Sequence, residues 1–161
     1  MRLIEDKIKS PEKLKKIILN LKKQGKRVAF TNGCFDILHY GHVDYLENAK
    51  KLTDKLVVAI NSDSSIKRIK GKNRPIFNLR DRIRIVAALE CVDFITSFNQ
   101  DTPLEIIKLL KPDILIKGGD WNKNKIVGKD VVESYEGRVI TVPYIKGKSS
   151  SKIIKKIVKS F

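Results

Sequence analysis

The sequence predicts an α/β fold, a Rossmann-like doubly wound sheet of about five parallel strands with flanking helices. Short apolar segments alternate along the chain with longer amphipathic segments, as in proteins built from repeated strand–helix units. Residues 56–60 are apolar without interruption, which is typical of a parallel strand covered by helices on both faces. The length of 161 residues suits one domain with one core.

The elements follow from periodicity and from signals at their ends. Ser10 is a suitable N-cap, Pro11 favours the first helical position, and Gly25 ends the predicted helix at residues 11–24. Further helices are predicted at residues 42–52, 79–89, 103–110, 127–134 and 151–159. Strands are predicted at residues 27–30, 56–60, 92–95, 113–117 and 138–142. Residues 61–78 are polar and basic, and we expect a long loop with one helical turn there.

The chain carries 34 Lys and Arg against 18 Asp and Glu, a formal net charge of +16. Such a positive field attracts nucleic acids or phosphorylated small molecules. No recognised nucleic-acid-binding motif is present, so we expect no nucleic-acid partner. The sequence has no apolar run long enough for a membrane span, and residues 1–6 contain no apolar stretch of the kind found in signal peptides, so we expect neither. Cys34 and Cys91 form no metal-type pair, and we expect a cytoplasmic protein with reduced thiols and no membrane contact.

The two histidines of the chain, His39 and His42, lie directly after the first predicted strand, where a helix opens. With Gly41 between them, both rings can face one ligand, and the backbone can approach a phosphate closely. Free N–H groups and the helix dipole favour phosphate at such a position. We therefore predict that both imidazoles donate hydrogen bonds to oxygens that gain charge during phosphoryl transfer. A metal site is not expected, because no Cys or third His completes one.

Residues 31–42, Thr-Asn-Gly-Cys-Phe-Asp-Ile-Leu-His-Tyr-Gly-His, resemble the signature of the cytidylyltransferase-like nucleotidyltransferases. Within that family the chain is most similar to adenylyltransferases of ADP-heptose synthesis, which act on D-glycero-β-D-manno-heptose 1-phosphate. The resemblance runs from about residue 26 to 157. It implies one nucleotidyltransferase domain over residues 1–161, with an N-terminal helix in 1–25 and a catalytic core in 26–161. We also expect a homo-oligomer, specifically a dimer.

The resemblance implies further site residues. Around the histidines, the candidate nucleotide-binding residues are Thr31, Asn32, Gly33, Cys34, Phe35, Asp36 and Gly41. After the second and fourth strands they are Asn61, Asp63, Lys117, Gly118, Gly119, Asp120 and Trp121. Before the last helix they are Ser149, Ser150 and Ser151. Lys70 matches a family lysine that approaches the phosphates, and Arg82 matches a family arginine near the active site. We expect both to neutralise charge that builds on the phosphates. The structural alternatives are orientation of the histidine-containing turn for Asp36, a solvated basic loop for Lys70, a helix-surface position for Arg82, a packed turn for Trp121 and helix capping for the serines.

The expected reaction is an in-line attack of a sugar 1-phosphate on the α-phosphorus of ATP, with Mg²⁺ bridging the phosphates and few protein ligands for the metal. Glycerol-3-phosphate cytidylyltransferases carry an Arg-Thr pair where this chain has residues 143–145, Pro-Tyr-Ile. That difference favours ATP and a heptose phosphate. CTP with an alcohol phosphate and ATP with a flavin remain alternatives within the same chemistry. A nucleic-acid-binding module and a non-catalytic nucleotide sensor are the alternatives outside it.

Overall fold

The computed structural model of the chain describes residues 3–119, 125–143, 145, 147 and 149–160. The strands are β1 (Val28–Gly33), β2 (Lys55–Asn61), β3 (Phe94–Phe98), β4 (Ile114–Gly118) and β5 (Arg138–Val142). All five are parallel and form one sheet in the order β3-β2-β1-β4-β5. The described helices are α1 (Ile4–Lys7), α2 (Pro11–Lys23), α3 (Tyr40–Lys50), α4 (Asp63–Lys70), α5 (Leu79–Ala87), α6 (Leu104–Leu110), α7 (Lys129–Glu133) and α8 (Ser150–Ser160). The predicted fold class is confirmed.

The strand order reverses direction beside the central strand. From β1 the chain adds β2 and then β3 on one side, and it returns to place β4 and β5 on the other side. The helix that follows β1 and the helix that follows β4 therefore leave the sheet in opposite directions, which opens a crevice at the carboxyl ends of these two strands. Ligands bind at such switch points in open α/β sheets.

Two apolar layers cover the sheet. One layer packs residues of β1, β2 and β4 against α2, α6 and α7, including Phe30, Leu115 and Ile107. The other packs the opposite strand faces against α3 and α5, including Val58, Ile116 and Leu46. Side chains of a strand alternate between faces, so both layers draw on the same apolar runs that predicted the sheet.

The local signals behave as expected at the first long helix. Ser10 caps α2 by accepting a hydrogen bond from the backbone N–H of Lys13 at 3.3 Å, and Pro11 is the first helical residue. Gly25 follows the helix with a φ of 71°, a left-handed conformation that glycine adopts without steric cost. The described part of the chain contains no helix with the length and hydrophobicity of a membrane span.

Several segments differ from the prediction, among them the short helix α1, for which the sequence predicts no element. Residues 63–70 form the helix α4, because Ser62 caps its start, accepting from Ser65 N at 3.1 Å, and Ile66 is fully buried. Strand β1 continues through residues 31–33, which pair with β2 instead of forming a loop. The third strand lies at Phe94–Phe98 instead of 92–95, because the polar Thr96 is buried opposite Ala59.

Candidate active site

A cavity of about 540 Å³ opens at the carboxyl ends of the central strands. Its size falls within the range of small-molecule sites. Many residues predicted for the nucleotide site line it: Asn32, Gly33, Cys34, Phe35, His39, Gly41, His42, Asn61, Lys70, Lys117, Gly118, Ser149, Ser150 and Ser151. The cavity thus brings together segments that are more than 100 residues apart in sequence.

The turn between β1 and α3 shapes one wall of the cavity. Phe35 adopts a left-handed φ of 46°, and its ring centroid lies 5.2 Å from that of His42. A Cβ at Gly33 would lie 2.9 Å from the Phe35 ring, so glycine allows the ring to fold against the backbone. The turn therefore places an aromatic ring behind the second histidine.

The histidine pair lies at the start of α3. His39 is the N-cap residue, with extended backbone angles of −144° and 167°. The backbone N–H of His42 donates to the carbonyl oxygen of His39 at 2.8 Å. The two imidazole rings stack with their centroids 3.8 Å apart and an interplanar angle of 24°. Both rings line the cavity, as the spacing of the motif predicts.

Burial keeps the second imidazole neutral. It lowers the pKa of His42 to about 4, and the charges of His39 and Lys70 act in the same direction. Nδ1 of His42 is buried and has no hydrogen-bond partner among the described residues. A buried polar atom without a partner is costly unless a ligand or water satisfies it. At neutral pH, His42 can thus offer a neutral hydrogen bond to a bound phosphate.

Lys70 supplies positive charge beside this pair. It is the last residue of α4 and lines the cavity. Burial raises the pKa of the Cys34 thiol, and Lys70 opposes that rise both through its charge and through a hydrogen bond to Cys34. These couplings place the ammonium group of Lys70 close to both Cys34 and His42. The predicted grouping of Lys70 with the histidines is present, although a helix rather than a loop delivers it.

Asn32 and Lys117 meet across the switch point of the sheet. Lys117, only 7% exposed, donates a hydrogen bond from Nζ to Oδ1 of Asn32. Burial lowers the pKa of Lys117 to about 8. Asn61, at the end of β2, is also buried and donates from Nδ2 to Oγ of Ser65 at 3.0 Å. These polar side chains line the cavity at the ends of β1, β2 and β4.

Arg82 has a different position from the one expected. Its side chain is fully buried and lies outside the cavity lining. Nε donates to the carbonyl oxygen of Phe77 at 3.0 Å, Nη1 to that of Cys34 at 2.7 Å, and Nη2 to Oδ1 of Asp63 at 2.7 Å. The guanidinium group therefore joins three segments that border the cavity, and it is not presented to a phosphate there.

The carboxylate of Asp36 also contacts other residues of the protein and does not line the cavity. It is 2% exposed and accepts hydrogen bonds from Nε of Arg74 at 2.6 Å and from the backbone N–H groups of Ile76 and Phe77 at 2.7 and 3.0 Å. Its carboxylate holds the segment before α5 against the turn after β1. Asp36 and Asp63, both predicted as nucleotide ligands, are thus placed as structural partners of arginines.

Two other predicted residues lie behind the cavity. The hydroxyl group of Thr31 is buried and lies 2.8 Å from Oη of Tyr45. The backbone N–H of Gly119 donates to the carbonyl oxygen of Val142 at 2.8 Å, and its missing Cβ would lie 3.4 Å from that oxygen. Neither residue is part of the lining. Asp120 and Trp121, predicted beside the nucleotide, lie outside the described residues.

The sequence suggested two roles for the three serines, capping of the last helix and lining of the nucleotide site, and their positions are compatible with both. Oγ of Ser149 accepts a hydrogen bond from the backbone N–H of Lys152 at 3.2 Å, which caps the first turn of α8. Oγ of Ser150 donates to the carbonyl oxygen of Ile37 at 3.1 Å, which attaches α8 to the turn before the histidines. All three serines line the cavity, so the start of α8 faces the start of α3 across it.

Sequence reasoning missed a second group of lining residues: Tyr45, Ile69, Asp101, Thr102, Pro103, Val127 and Ile145. Asp101 and Thr102 lie between β3 and α6, and Nε of Arg68 on α4 holds Asp101 through an ion pair of 2.6 Å. For Asp101, Thr102 and Pro103, the sequence carried one signal that could have identified them. They follow the third strand, and the carboxyl ends of parallel strands lie at one edge of the sheet.

Comparison with known proteins identifies relatives of the chain. The model of the Cytidylyltransferase-like family matches residues 30–156. The bifunctional protein HldE of Geotalea uraniireducens (strain Rf4) is 52% identical over 94% of this chain and 31% of the relative. That of Helicobacter hepaticus (strain ATCC 51449 / 3B1) is 50% identical over 98% of this chain and 31% of the relative. The chain thus spans about a third of the length of these relatives.

A solved structure is also similar. The lipopolysaccharide core biosynthesis protein from Thermoplasma volcanium GSS1 has 31% sequence identity and a TM-score of 0.61, over 77% of this chain and 100% of that chain. The matched family segment contains the histidine pair, Lys70, Lys117 and the three serines. The resemblance stated from the sequence is therefore confirmed.

Proposed function

The chain belongs to the cytidylyltransferase-like family of nucleotidyltransferases, and on this premise we propose that it transfers AMP from ATP to D-glycero-β-D-manno-heptose 1-phosphate. The products are ADP-heptose and pyrophosphate, and the ADP-heptose supplies bacterial surface glycans such as the lipopolysaccharide core. The stacked pair of His39 and His42 at a helix start inside the cavity carries this proposal. The similarity to HldE proteins supports the choice of ATP and a heptose phosphate.

The reaction is a single displacement at phosphorus. A phosphate oxygen of the sugar 1-phosphate attacks the α-phosphorus of ATP and forms a new phosphorus–oxygen bond. The bond from the α-phosphorus to the oxygen that bridges to the β-phosphorus breaks, and its electron pair leaves with pyrophosphate. The attacking phosphate is already ionised near pH 7, since its second pKa lies near 6, so the reaction needs no general base.

The residues of the cavity provide position and charge. His39 and His42 donate hydrogen bonds to the α- and β-phosphate oxygens, where negative charge grows in the transition state. Lys70, next to His42, neutralises part of that charge. The backbone N–H groups of Ser150 and Ser151 and the hydroxyls of Ser149 and Ser151, at the start of α8, bind the β- and γ-phosphates, because a helix N-terminus favours anions.

Arg82 and Asp36 act as positioning residues in this proposal. Arg82 fixes the carbonyl of Cys34 and the start of α4, whose last residue is Lys70. Asp36 fixes the segment that leads into α5. Both side chains thereby hold the turn that presents the histidines, without contacting substrate.

Mg²⁺ enters this proposal as a complex with ATP. The described residues contain no group of three His, Cys, Asp or Glu that could hold a metal ion. Mg²⁺ is commonly bound through substrate phosphates and water with one or two carboxylates, and it would neutralise the polyphosphate when bound. We further propose a single domain over residues 1–161 with its catalytic core in 26–161, a homodimeric assembly and a cytoplasmic location.

A panel of substrates tests the proposal. Purified protein is incubated with Mg²⁺ and either ATP or CTP, together with D-glycero-β-D-manno-heptose 1-phosphate, glycerol 3-phosphate or flavin mononucleotide, and pyrophosphate release is measured. We expect release only with ATP and the heptose phosphate, with ADP-heptose as the second product. The double variant His39→Ala/His42→Ala, purified in parallel, controls for contaminating enzymes. Pyrophosphate release from CTP with glycerol 3-phosphate, or from ATP with the flavin, would show that the proposed substrates are wrong.

A further inference from the structure

Three polar side chains form a row at the end of one apolar layer of the sheet. Asn61 is the last residue of β2, and Asn32 and Lys117 are the last but one of β1 and β4, which are neighbours in the sheet. Phe30 pairs with Leu115 in the parallel register, so two residues further along Asn32 stands opposite Lys117. The residues two positions earlier are Ala59, Phe30 and Leu115, which belong to the apolar layer that packs against α6. Because side chains alternate along a strand, the three polar side chains lie on the same face of the sheet as that layer.

The histidines approach the cavity from the other face. Phe35 and α3 belong to the opposite apolar layer, which also contains Leu46 and Val58. The hydroxyl of Ser150 donates a hydrogen bond to the turn before the histidines, and the charge of Lys70 lowers the pKa of His42. The histidines and the start of α8 therefore lie on the side of this second layer, whereas the row with Lys117 continues the layer that packs against α6.

The reaction brings two anions into this cavity. Among the described lining residues, the lysines are Lys70 and Lys117, and His42 is neutral at the pH of the reaction. Lys70 lies beside the histidines, whereas Lys117 lies across the switch point and is oriented by Asn32. We propose that Lys117 binds the phosphate group of the acceptor sugar 1-phosphate and holds it opposite the histidines. This inference rests on the proposed nucleotidyl transfer.

The buried position of Lys117 suits an anion with two charges. Burial disfavours the charged ammonium, and a phosphate dianion nearby restores it, since opposite charges interact more strongly away from bulk water. The hydrogen bond to Asn32 fixes the direction of the ammonium group before the substrate arrives, so little side-chain entropy is lost on binding. Asp101 and Thr102 line the cavity as well, and they offer polar groups for sugar hydroxyls.

The central test is Lys117→Met, which removes the charge and keeps the length of the side chain. We expect the KM for the sugar 1-phosphate to rise about 10-fold to 100-fold, as the loss of a hydrogen bond to a charged group does, while the KM for ATP changes less than about 3-fold. Lys16→Met, an exposed lysine on α2 outside the cavity, is the matched control. A rise confined to the KM for ATP, or no change in either KM, overturns the inference.

The wild-type protein separates this inference from the proposed function. If it releases no pyrophosphate with any nucleotide and acceptor of the panel, the proposed function fails. If it uses a different phosphorylated acceptor, the two KM values are measured with that acceptor, and the same split tests Lys117. Normal turnover with an unchanged acceptor KM in Lys117→Met overturns the inference alone.

The pH dependence of the two KM values in the wild type gives a second test, which does not depend on whether Lys117→Met folds. Lys117 loses its proton above about pH 8, so we expect the acceptor KM to rise between pH 8 and pH 10 and the KM for ATP to rise less. Lys117→Arg, which stays charged in this range, should flatten that rise. The other titratable groups that line the cavity in the described residues are His39, His42, Cys34, Tyr45, Lys70 and Asp101. Equal rises in both KM values contradict the inference.

Discussion

The imidazole rings of His39 and His42 stack face to face with their centroids 3.8 Å apart. Two cationic rings would repel each other at this distance, and the low pKa of His42 avoids that repulsion. The pair therefore presents hydrogen-bond donors at a fixed spacing rather than two positive charges. Such preorganised donors stabilise charge that develops on phosphate oxygens.

Removal of either ring should lower turnover. For His39→Ala and for His42→Ala, we expect kcat to fall about 100-fold or more, as the loss of one oxyanion-type donor does, with the fold retained by circular dichroism. The value of kcat is measured as the rate of pyrophosphate release at saturating concentrations of both substrates. Tyr40→Ala, an exposed residue between the two histidines, is the control and should keep most of the activity. Near wild-type release by either histidine variant contradicts the role of the pair.

The half-buried His42 should also make stability depend on pH. In the unfolded chain, this histidine binds a proton below about pH 6.5, whereas in the folded chain it does so only below about pH 4. Between these values the unfolded state binds more protons, so the free energy of unfolding falls as the pH falls. We expect His42→Asn to lose less stability than the wild type between pH 6.5 and pH 4.5 in urea titrations. Parallel losses in the two proteins would mean that His42 titrates normally in the fold.

Arg82 should matter for stability more than for nucleotide contact. Arg82→Met leaves the carbonyl oxygens of Cys34 and Phe77 without this donor and removes the partner of Asp63. We expect the free energy of unfolding to fall by about 3 kcal/mol. Arg80→Met, an exposed arginine on the same helix, should change it by less than about 0.5 kcal/mol. Unchanged stability together with a raised KM for ATP would return Arg82 to the phosphate-binding role predicted from the sequence.

Metal removal should affect the reaction and not the fold. Because the described residues hold no cluster of three metal-ligating side chains, we expect EDTA to abolish pyrophosphate release while leaving the Tm of the nucleotide-free protein unchanged. Added Mg²⁺ should restore the release. A lower Tm after EDTA treatment of the nucleotide-free protein would indicate a metal ion bound by the chain itself.

The sequence was most informative where local chemistry decides the structure. The apolar run of β2 and the turn that contains both histidines needed no distant partner to be identified. The length of helix α4 was underestimated as one turn because only one side of it is buried, around Ile66, and its contact from Arg68 to Asp101 joins residues 33 apart. A hydrophobic pattern cannot show such a contact.

The role of Arg82 was also beyond the reach of the sequence. An arginine on a helix is usually exposed, and its burial depends on the carbonyl of Cys34, which is 48 residues away. The pairing of Asn32 with Lys117 spans 85 residues and requires the strand order to be known. Sequence patterns identified most of the lining residues, but they could not separate residues that face the cavity from residues that support it.

The most direct measurement is a crystal structure of the protein with Mg²⁺ and the non-hydrolysable analogue α,β-methylene-ATP. We expect oxygens of the α- and β-phosphates within hydrogen-bond distance of the rings of His39 and His42, and the γ-phosphate at the start of α8. A polyphosphate chain bound away from both histidines would contradict the central claim.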